Sequence, residues 1–307
     1  MGKIFKNKFI SLFLCIGIVI APFLTGCNSK EVNSDANKPI AKGVQWEVKK
    51  DNKTMYLIGT MHPINPDYNY FSDTINDILK KTDVLGVEID PLPSDYTEVQ
   101  ANAVYSGNDT IEKDLNKKEI ESLKDISKSL GLDYEKLKFN KSNFIIQNIS
   151  SCIYTEANLV METFDDKLIA VAKSSGKEVK QLETIQDQMK LLEKIHGIDA
   201  LKLMLKDYSK ESFDEYKKSD VDYSKKLMDS YAKGDEKFME EAVAMQKENK
   251  EAYDAMILDR NVAMVKKMEN YFKEDKTYTI AVGALHFFGD DSIVSMMKEK
   301  GYEVNKL

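Results

Sequence analysis

The sequence has three histidines, and two of them close the same four-residue pattern. Gly59-Thr60-Met61-His62 follows the apolar run Tyr56-Leu57-Ile58. Gly283-Ala284-Leu285-His286 follows Tyr278-Thr279-Ile280-Ala281-Val282, more than two hundred residues later. An imidazole changes charge near neutral pH and its neutral form ligates metals, so it serves proton transfer and metal binding alike. Carboxylates stand at matching places. Glu88 and Asp90 close the run Asp83–Ile89, and two residues apart in a strand would share a face. Glu183 follows the run Glu178–Leu182, although Thr184 beside it also reads as a helix cap.

Neutral imidazoles with carboxylates make a plausible set for a divalent transition metal. The same groups could act as general acid and base with no metal. Among the 44 basic residues only Arg260 is an arginine. Lysine cannot reproduce its planar, always-charged fork. Arg260 falls on an apolar helical stripe formed by Tyr253, Met256, Ile257, Met264 and Met268. A guanidinium on an inward face needs a carboxylate partner such as Glu88 or Asp90, or a substrate oxygen. The third histidine, His196, reads as a positive helix end, and Cys152 as a small buried apolar residue.

The elements that must position these groups follow from periodicity. Val44–Lys49 and Thr54–Ile58 flank the turn cluster Lys50-Asp51-Asn52-Lys53, a predicted hairpin delivering the chain to Gly59. Tyr68–Lys81 reads as helix and Asp83–Ile89 as strand, closed by Pro91 and Pro93. Helical patterns run from Thr110 to Leu130, Tyr134 to Ser150 and Ala157 to Ser174. Glu178–Leu182 reads as a short strand, and Ile185–Phe272 as several helices. Tyr278–Val282 is a core strand, Asp290–Lys300 a helix and Tyr302–Lys306 a terminal strand. This order predicts an α/β class: a mixed β-sheet core with a large helical insertion. Ligands of open α/β sheets bind beyond the carboxyl ends of the strands, where both histidines fall.

The chain starts with Lys3, Lys6 and Lys8, then the apolar Phe9–Phe23, then Leu24-Thr25-Gly26-Cys27. That is an export signal in three parts. Its ending resembles the bacterial lipobox, which implies cleavage before Cys27 and lipid attachment to its sulfur. Residues 1–26 then form the signal peptide, 27–42 a polar flexible tether and 43–307 the folded domain. The expected location is the extracytoplasmic face of the cell membrane, through the lipid anchor. Without the signal peptide the chain carries 41 basic and 51 acidic residues, which argues against a nucleic-acid partner.

The pieces GTMH (Gly59–His62), VEID (Val87–Asp90), DKLIAVAKSSGKEVKQLET (Asp166–Thr184), DRN (Asp259–Asn261) and GALHFFGDD (Gly283–Asp291) resemble the TraB/GumN family, which includes the Tiki-type metallopeptidases. The resemblance covers nearly all of residues 43–307. It implies an α/β fold shared with erythromycin-esterase-like and haem-uptake ChaN-like proteins. The family's animal members are implied to be metal-dependent peptidases with manganese or cobalt favoured; for this chain the expected cofactor is a divalent metal, manganese, cobalt or zinc. By the resemblance, His62, His286 and Glu88 are candidate metal ligands or acid/base groups and Arg260 a candidate charge stabiliser. In a metal-dependent reading of these residues, Glu183 or Asp90 could accept a proton from the metal-bound water. Other bacterial relatives are linked to shutdown of peptide pheromone signals. The expectation is a surface-anchored metal-dependent hydrolase acting on a peptide or other small molecule. The alternatives are a binding protein that sequesters a secreted peptide without turnover, and a metal-free esterase.

Overall fold

A computed structural model of the chain describes residues 38–159 and 162–307. The predicted signal peptide, Cys27 and most of the tether lie outside the described residues. Among the described residues no helix is long and apolar enough to cross a membrane. They divide into two compact units, one of residues 38–90, 162–184 and 223–307, the other of 91–159 and 185–222.

The first unit holds a six-stranded mixed sheet. Its strands are β1 (Val44–Lys50), β2 (Lys53–Thr60), β3 (Val84–Val87), β4 (Glu178–Gln181), β5 (Tyr278–Gly283) and β6 (Glu303–Lys306). The spatial order is β4-β3-β5-β2-β1-β6. The four strands β4, β3, β5 and β2 are mutually parallel, and at one edge β1 pairs antiparallel with both β2 and β6. β1 and β2 form the predicted hairpin. Asp51 and Asn52 both take positive φ (50° and 63°), as a two-residue turn between right-twisted strands requires.

Every residue of β3 and β5 is buried. Strands so covered read as continuous apolar runs, which is why VLGV and YTIAVG show little alternation. Leu57, Ile58, Leu85, Val87, Ile280 and Val282 are wholly buried and form the centre of this core.

Helix starts fall later than periodicity alone suggests because caps fix them. Ser72 accepts a hydrogen bond from the Ile75 amide, so that helix is Asp73–Lys81. Thr163 does the same for Phe164–Ser174, and Ser292 for Ile293–Glu299. The second unit is helical. It includes Pro93–Ala103, Lys117–Ser129, Ser142–Glu156, Ile185–Ile195 and Ile198–Lys206. Asn116 and Glu119 start the Lys117 helix with a reciprocal capping box. The helical insertion thus enters in two pieces, after β3 and after β4.

His196, just past Ile185–Ile195, is buried rather than a solvated helix end. Burial pushes its pKa down to about 4, so it is neutral at physiological pH. The reading of a positive helix end does not hold.

Candidate functional site

The four parallel strands end side by side, and each delivers one polar residue. In sheet order β4 leads to Glu183, β3 to Glu88, β5 to His286 and β2 to His62. Parallel pairing continues past the strands on one side. Leu182 N donates to Val87 O at 2.7 Å and Glu183 N to Glu88 O at 2.9 Å. Two carboxylates are thereby placed next to each other in the interior, an arrangement that needs a cation.

Arg260 is that cation. Its Nε donates to Glu183 Oε1 at 2.7 Å, and its Nη2 to Glu183 Oε2 at 2.8 Å and Glu88 Oε2 at 2.6 Å. Its Nη1 donates to the Met256 carbonyl at 3.1 Å. That carbonyl lies in a π-helical turn, Asp254–Leu258, directly before the helix Asp259–Tyr271. Such wide turns interrupt the regular backbone ladder and recur at functional sites. Burial by itself would weaken the Arg260 charge, but Glu88 and Glu183 outweigh it and push its pKa up. The guanidinium is engaged by both acids, so its first role is to hold Glu88 and Glu183. Two acids against one guanidinium leave this group with one net negative charge.

Glu88 Oε1 accepts from the Gly283 amide at 2.8 Å, which ties the end of β3 to the end of β5. The face of Gly283 is where the other groups meet. A methyl placed on its Cα would lie 3.3 Å from Glu88 Oε1, 3.7 Å from His286 Cδ2 and 3.9 Å from His62 Nε2. The two Gly-x-x-His histidines therefore share one locality with Glu88, although 224 positions separate their numbers in the chain. Gly59 and Gly283 serve close approach rather than a left-handed turn, since neither is among the glycines with positive φ.

His286 is 1 % exposed and sits in the short turn Ala284–Phe287. The flanking rings hold that turn: the centroid of Phe287 lies 5.0 Å from that of Trp46 on β1, and Phe288 meets Trp46 edge-on at 6.0 Å. Its Nδ1 lies 2.6 Å from Asn261 Oδ1. Its Nε2 is buried, makes no hydrogen bond, and stands 3.7 Å from Glu88 Oε1. Burial first, then the Arg260 charge, holds His286 well below the usual imidazole range. Burial also lowers His62, opposed by the charge of Glu88.

His62 is positioned by the segment before the helix Phe164–Ser174. Phe164 N donates to Met61 O at 3.1 Å and Ile64 N to Glu162 O at 3.0 Å. Thr60 Oγ1 donates to Asp165 Oδ1 at 2.8 Å. Tyr231 Oη donates to Gly59 O at 2.6 Å. Asp165 is a site residue the sequence reading missed. Its Oδ2 is sealed from solvent without a hydrogen-bond partner, though the residue as a whole is half-buried. Burial, then the charge of Glu88, pushes its carboxyl up to about 8.

Asp90 lies apart from this group. β3 stops at Val87, so the alternation that would have put Glu88 and Asp90 on one face lapses. Asp90 is paired with Lys173 at 2.7 Å instead. Asn261, also passed over in the sequence, is wholly buried beside His286.

The donors suit a divalent transition ion in kind: neutral imidazoles, a carboxylate, an unpartnered buried Nε2 and residual negative charge. Among the described residues, no three His, Cys, Asp or Glu side chains are drawn close enough to hold a metal as they stand. Glu88 is committed to Arg260 and Gly283 in this arrangement.

Comparison with known proteins bears on these residues. The sequence profile of the TraB/PrgY/gumN family matches residues 44–306. A curated relative, the "Metalloprotease TIKI homolog" of Amphimedon queenslandica, is 36% identical over 70 residues. That stretch is 22% of this chain and spans 14% of the relative's length. No solved structure matches.

Proposed function

Since the chain belongs to the TraB/PrgY/gumN family, we propose that it is a metal-dependent hydrolase acting on peptides, anchored by lipid at Cys27 on the extracytoplasmic face of the membrane. One observation carries the proposal. His62 Nε2, His286 and Glu88 Oε1 gather over the face of Gly283, and the His286 Nε2 among them is buried without a hydrogen bond. The relative named a metalloprotease supports metal dependence, through a short stretch of its length.

His62, His286 and Glu88 would hold the ion. A bound divalent transition metal supplies Lewis acidity toward a carbonyl and lowers the pKa of water. The protein groups do the rest. Arg260 fixes the Glu88 and Glu183 carboxylates in the interior through its three short hydrogen bonds. The Gly283 amide sets the orientation of Glu88. Glu183, both of whose oxygens accept from Arg260, would serve as the proton acceptor only by giving up one of those bonds. A direct role for Arg260 on a substrate oxygen requires it to release one of its carboxylates first.

The test uses the full chain with a diverse peptide library, in manganese, cobalt or zinc, before and after chelation, read by mass spectrometry. Cleavage that stops with chelator and returns with metal is expected. No cleavage under any metal, or cleavage undiminished after exhaustive metal removal, overturns the proposal. Peptide binding without product that persists in His62→Ala and His286→Ala identifies a sequestering protein instead. For the anchor, Cys27→Ser is expected to move the chain from the membrane to the soluble fraction.

A further inference from the structure

We infer that Asn261 is the positioning residue that selects which nitrogen of His286 acts, holding the hydrogen on Nδ1 and leaving Nε2 as the nitrogen turned to chemistry. The argument is one of hydrogen-bond valence. Asn261 Nδ2 has two hydrogens, and two backbone carbonyls receive them: Asp291 O at 2.7 Å and His286 O at 3.4 Å. Reversing the amide would set its oxygen against both carbonyls and lose both bonds, so the orientation is fixed by its surroundings. Oδ1 therefore faces His286 Nδ1, at 2.6 Å, and a carbonyl oxygen can only accept. Nδ1 must carry the hydrogen, whatever the protonation of the other nitrogen.

The free imidazole ring of histidine prefers the opposite tautomer, with the hydrogen on Nε2, so the protein is imposing a choice. The result is that Nε2, buried 3.7 Å from Glu88 Oε1, is the position at which His286 offers a lone pair or exchanges a proton. Asn261 is well supported for this work. It is wholly buried and follows Arg260 directly in the helix Asp259–Tyr271. Its second anchor, Asp291, is itself bound through Oδ2 to Tyr253 Oη at 3.0 Å and to Lys247 Nζ at 2.9 Å. Adjacent residues on one helix thus hold the two halves of the site, Arg260 the carboxylates and Asn261 the imidazole. Polar groups that set ligand tautomers in this way typically change metal affinity 10- to 100-fold when removed.

The use made of Nε2 rests on the proposed metallohydrolase reading; the tautomer does not, and the experiment separates them. Two-bond ¹⁵N–¹H correlation spectra of the histidine-labelled full chain, with His286 assigned by its loss in His286→Gln, report the tautomer without any substrate. A pyrrole-type Nδ1 and pyridine-type Nε2 are expected in the metal-free wild type. The reverse pattern overturns the inference, and this measurement needs no Asn261 variant to fold. Asn261→Leu should shift His286 toward the ordinary Nε2–H form and weaken cobalt binding, by calorimetry, 10- to 100-fold. An unchanged spectrum in Asn261→Leu would also overturn the inference. If no peptide is ever cleaved but the Nδ1–H tautomer is found, the functional reading fails and this assignment stands.

Discussion

Arg260 Nη2 and Glu88 Oε2 stand 2.6 Å apart with both side chains almost wholly buried, the guanidinium 7% and the carboxylate 5% exposed. The same nitrogen also reaches Glu183. Removing one partner of a buried pair leaves an uncompensated charge, which costs about 3–5 kcal/mol. Arg260→Met leaves two buried carboxylates facing each other and is expected to lower stability by about that amount, read as a shift of the urea midpoint. Arg260→Lys keeps the charge but cannot form the fork, so it should retain more stability and still lose the placement of Glu88. Two variants as stable as the wild type would mean the triad does not hold the fold.

The two glycines of the repeated pattern should separate experimentally. A methyl on Gly59 would lie 2.4 Å from Val44 Cγ2 and 3.1 Å from the Ala284 Cα, both fixed by the sheet and the turn. Gly59→Ala is therefore overpacking and should cost about 1–3 kcal/mol. At Gly283 the nearest atom is the Glu88 oxygen at 3.3 Å, with the two histidines just beyond. Gly283→Ala should cost less in stability and more in metal binding. Thermal melts and calorimetric metal titrations of the two variants side by side check this. Equal effects on both readouts would remove the distinction.

The strand ends were legible because a buried parallel strand is an apolar run, and VLGV, YTIAVG and the end of KTMYLIGT are such runs. Each polar residue that follows such a run marks an end, so His62, Glu88 and His286 stood out, whereas Glu183 follows the largely polar edge strand EVKQ, which is not such a run. The order of strands was not legible. Nothing local in Val84–Val87 says that it lies between β4 and β5, because its partners Glu178 and Tyr278 lie 94 and 194 positions further along the chain. Asp90 misled for a local reason: the alternation rule was carried past the point where the strand stops. Asp165 gave no signal at all. Among the residues ETFDDK it reads as an ordinary first-turn acid, and only Thr60, 105 positions earlier, makes it a buried one. Asn261 carried a faint signal as the neighbour of the lone arginine, but only the fold reveals that its amide is spent on His286.

Asp165 should impose a falling stability with rising pH. Its carboxyl titrates near 8 in the fold against 3.8 for an ordinary aspartate, burial being the main cause and the Glu88 charge the second. Between those values the native state holds a proton that the unfolded chain has released. Its contribution is thus fully present below about pH 4 and lost as the pH rises through 8. The ceiling on this effect is on the order of 5 kcal/mol, reduced by any relaxation that lets water reach the carboxyl. Asp165→Asn stays neutral and can still accept from Thr60, so its stability relative to wild type should climb from pH 4 to 8 and then level off. Chemical denaturation at a series of pH values checks it. Parallel wild-type and variant curves would show that Asp165 is ionised at neutral pH.

His196 should act with the opposite sign. Burial depresses it from 6.5 to about 4, so the folded chain resists a proton that the unfolded chain accepts. The stability it protects is fully present above pH 6.5 and is lost as the pH falls toward 4, by on the order of 3 kcal/mol. His196→Gln retains polar capacity without a charge in that range and should flatten the acid limb, leaving the neutral one alone. Because Asp165 stabilises over the same interval in which His196 destabilises, the wild-type curve between pH 4 and 6.5 is expected to be shallower than either variant alone suggests. The double variant tests whether the two effects are independent. Asp165 and His196 belong to different units of the chain, and shifts that add would show them to be independent. An acid limb in His196→Gln as steep as in the wild type would mean that the imidazole is already protonated in the fold.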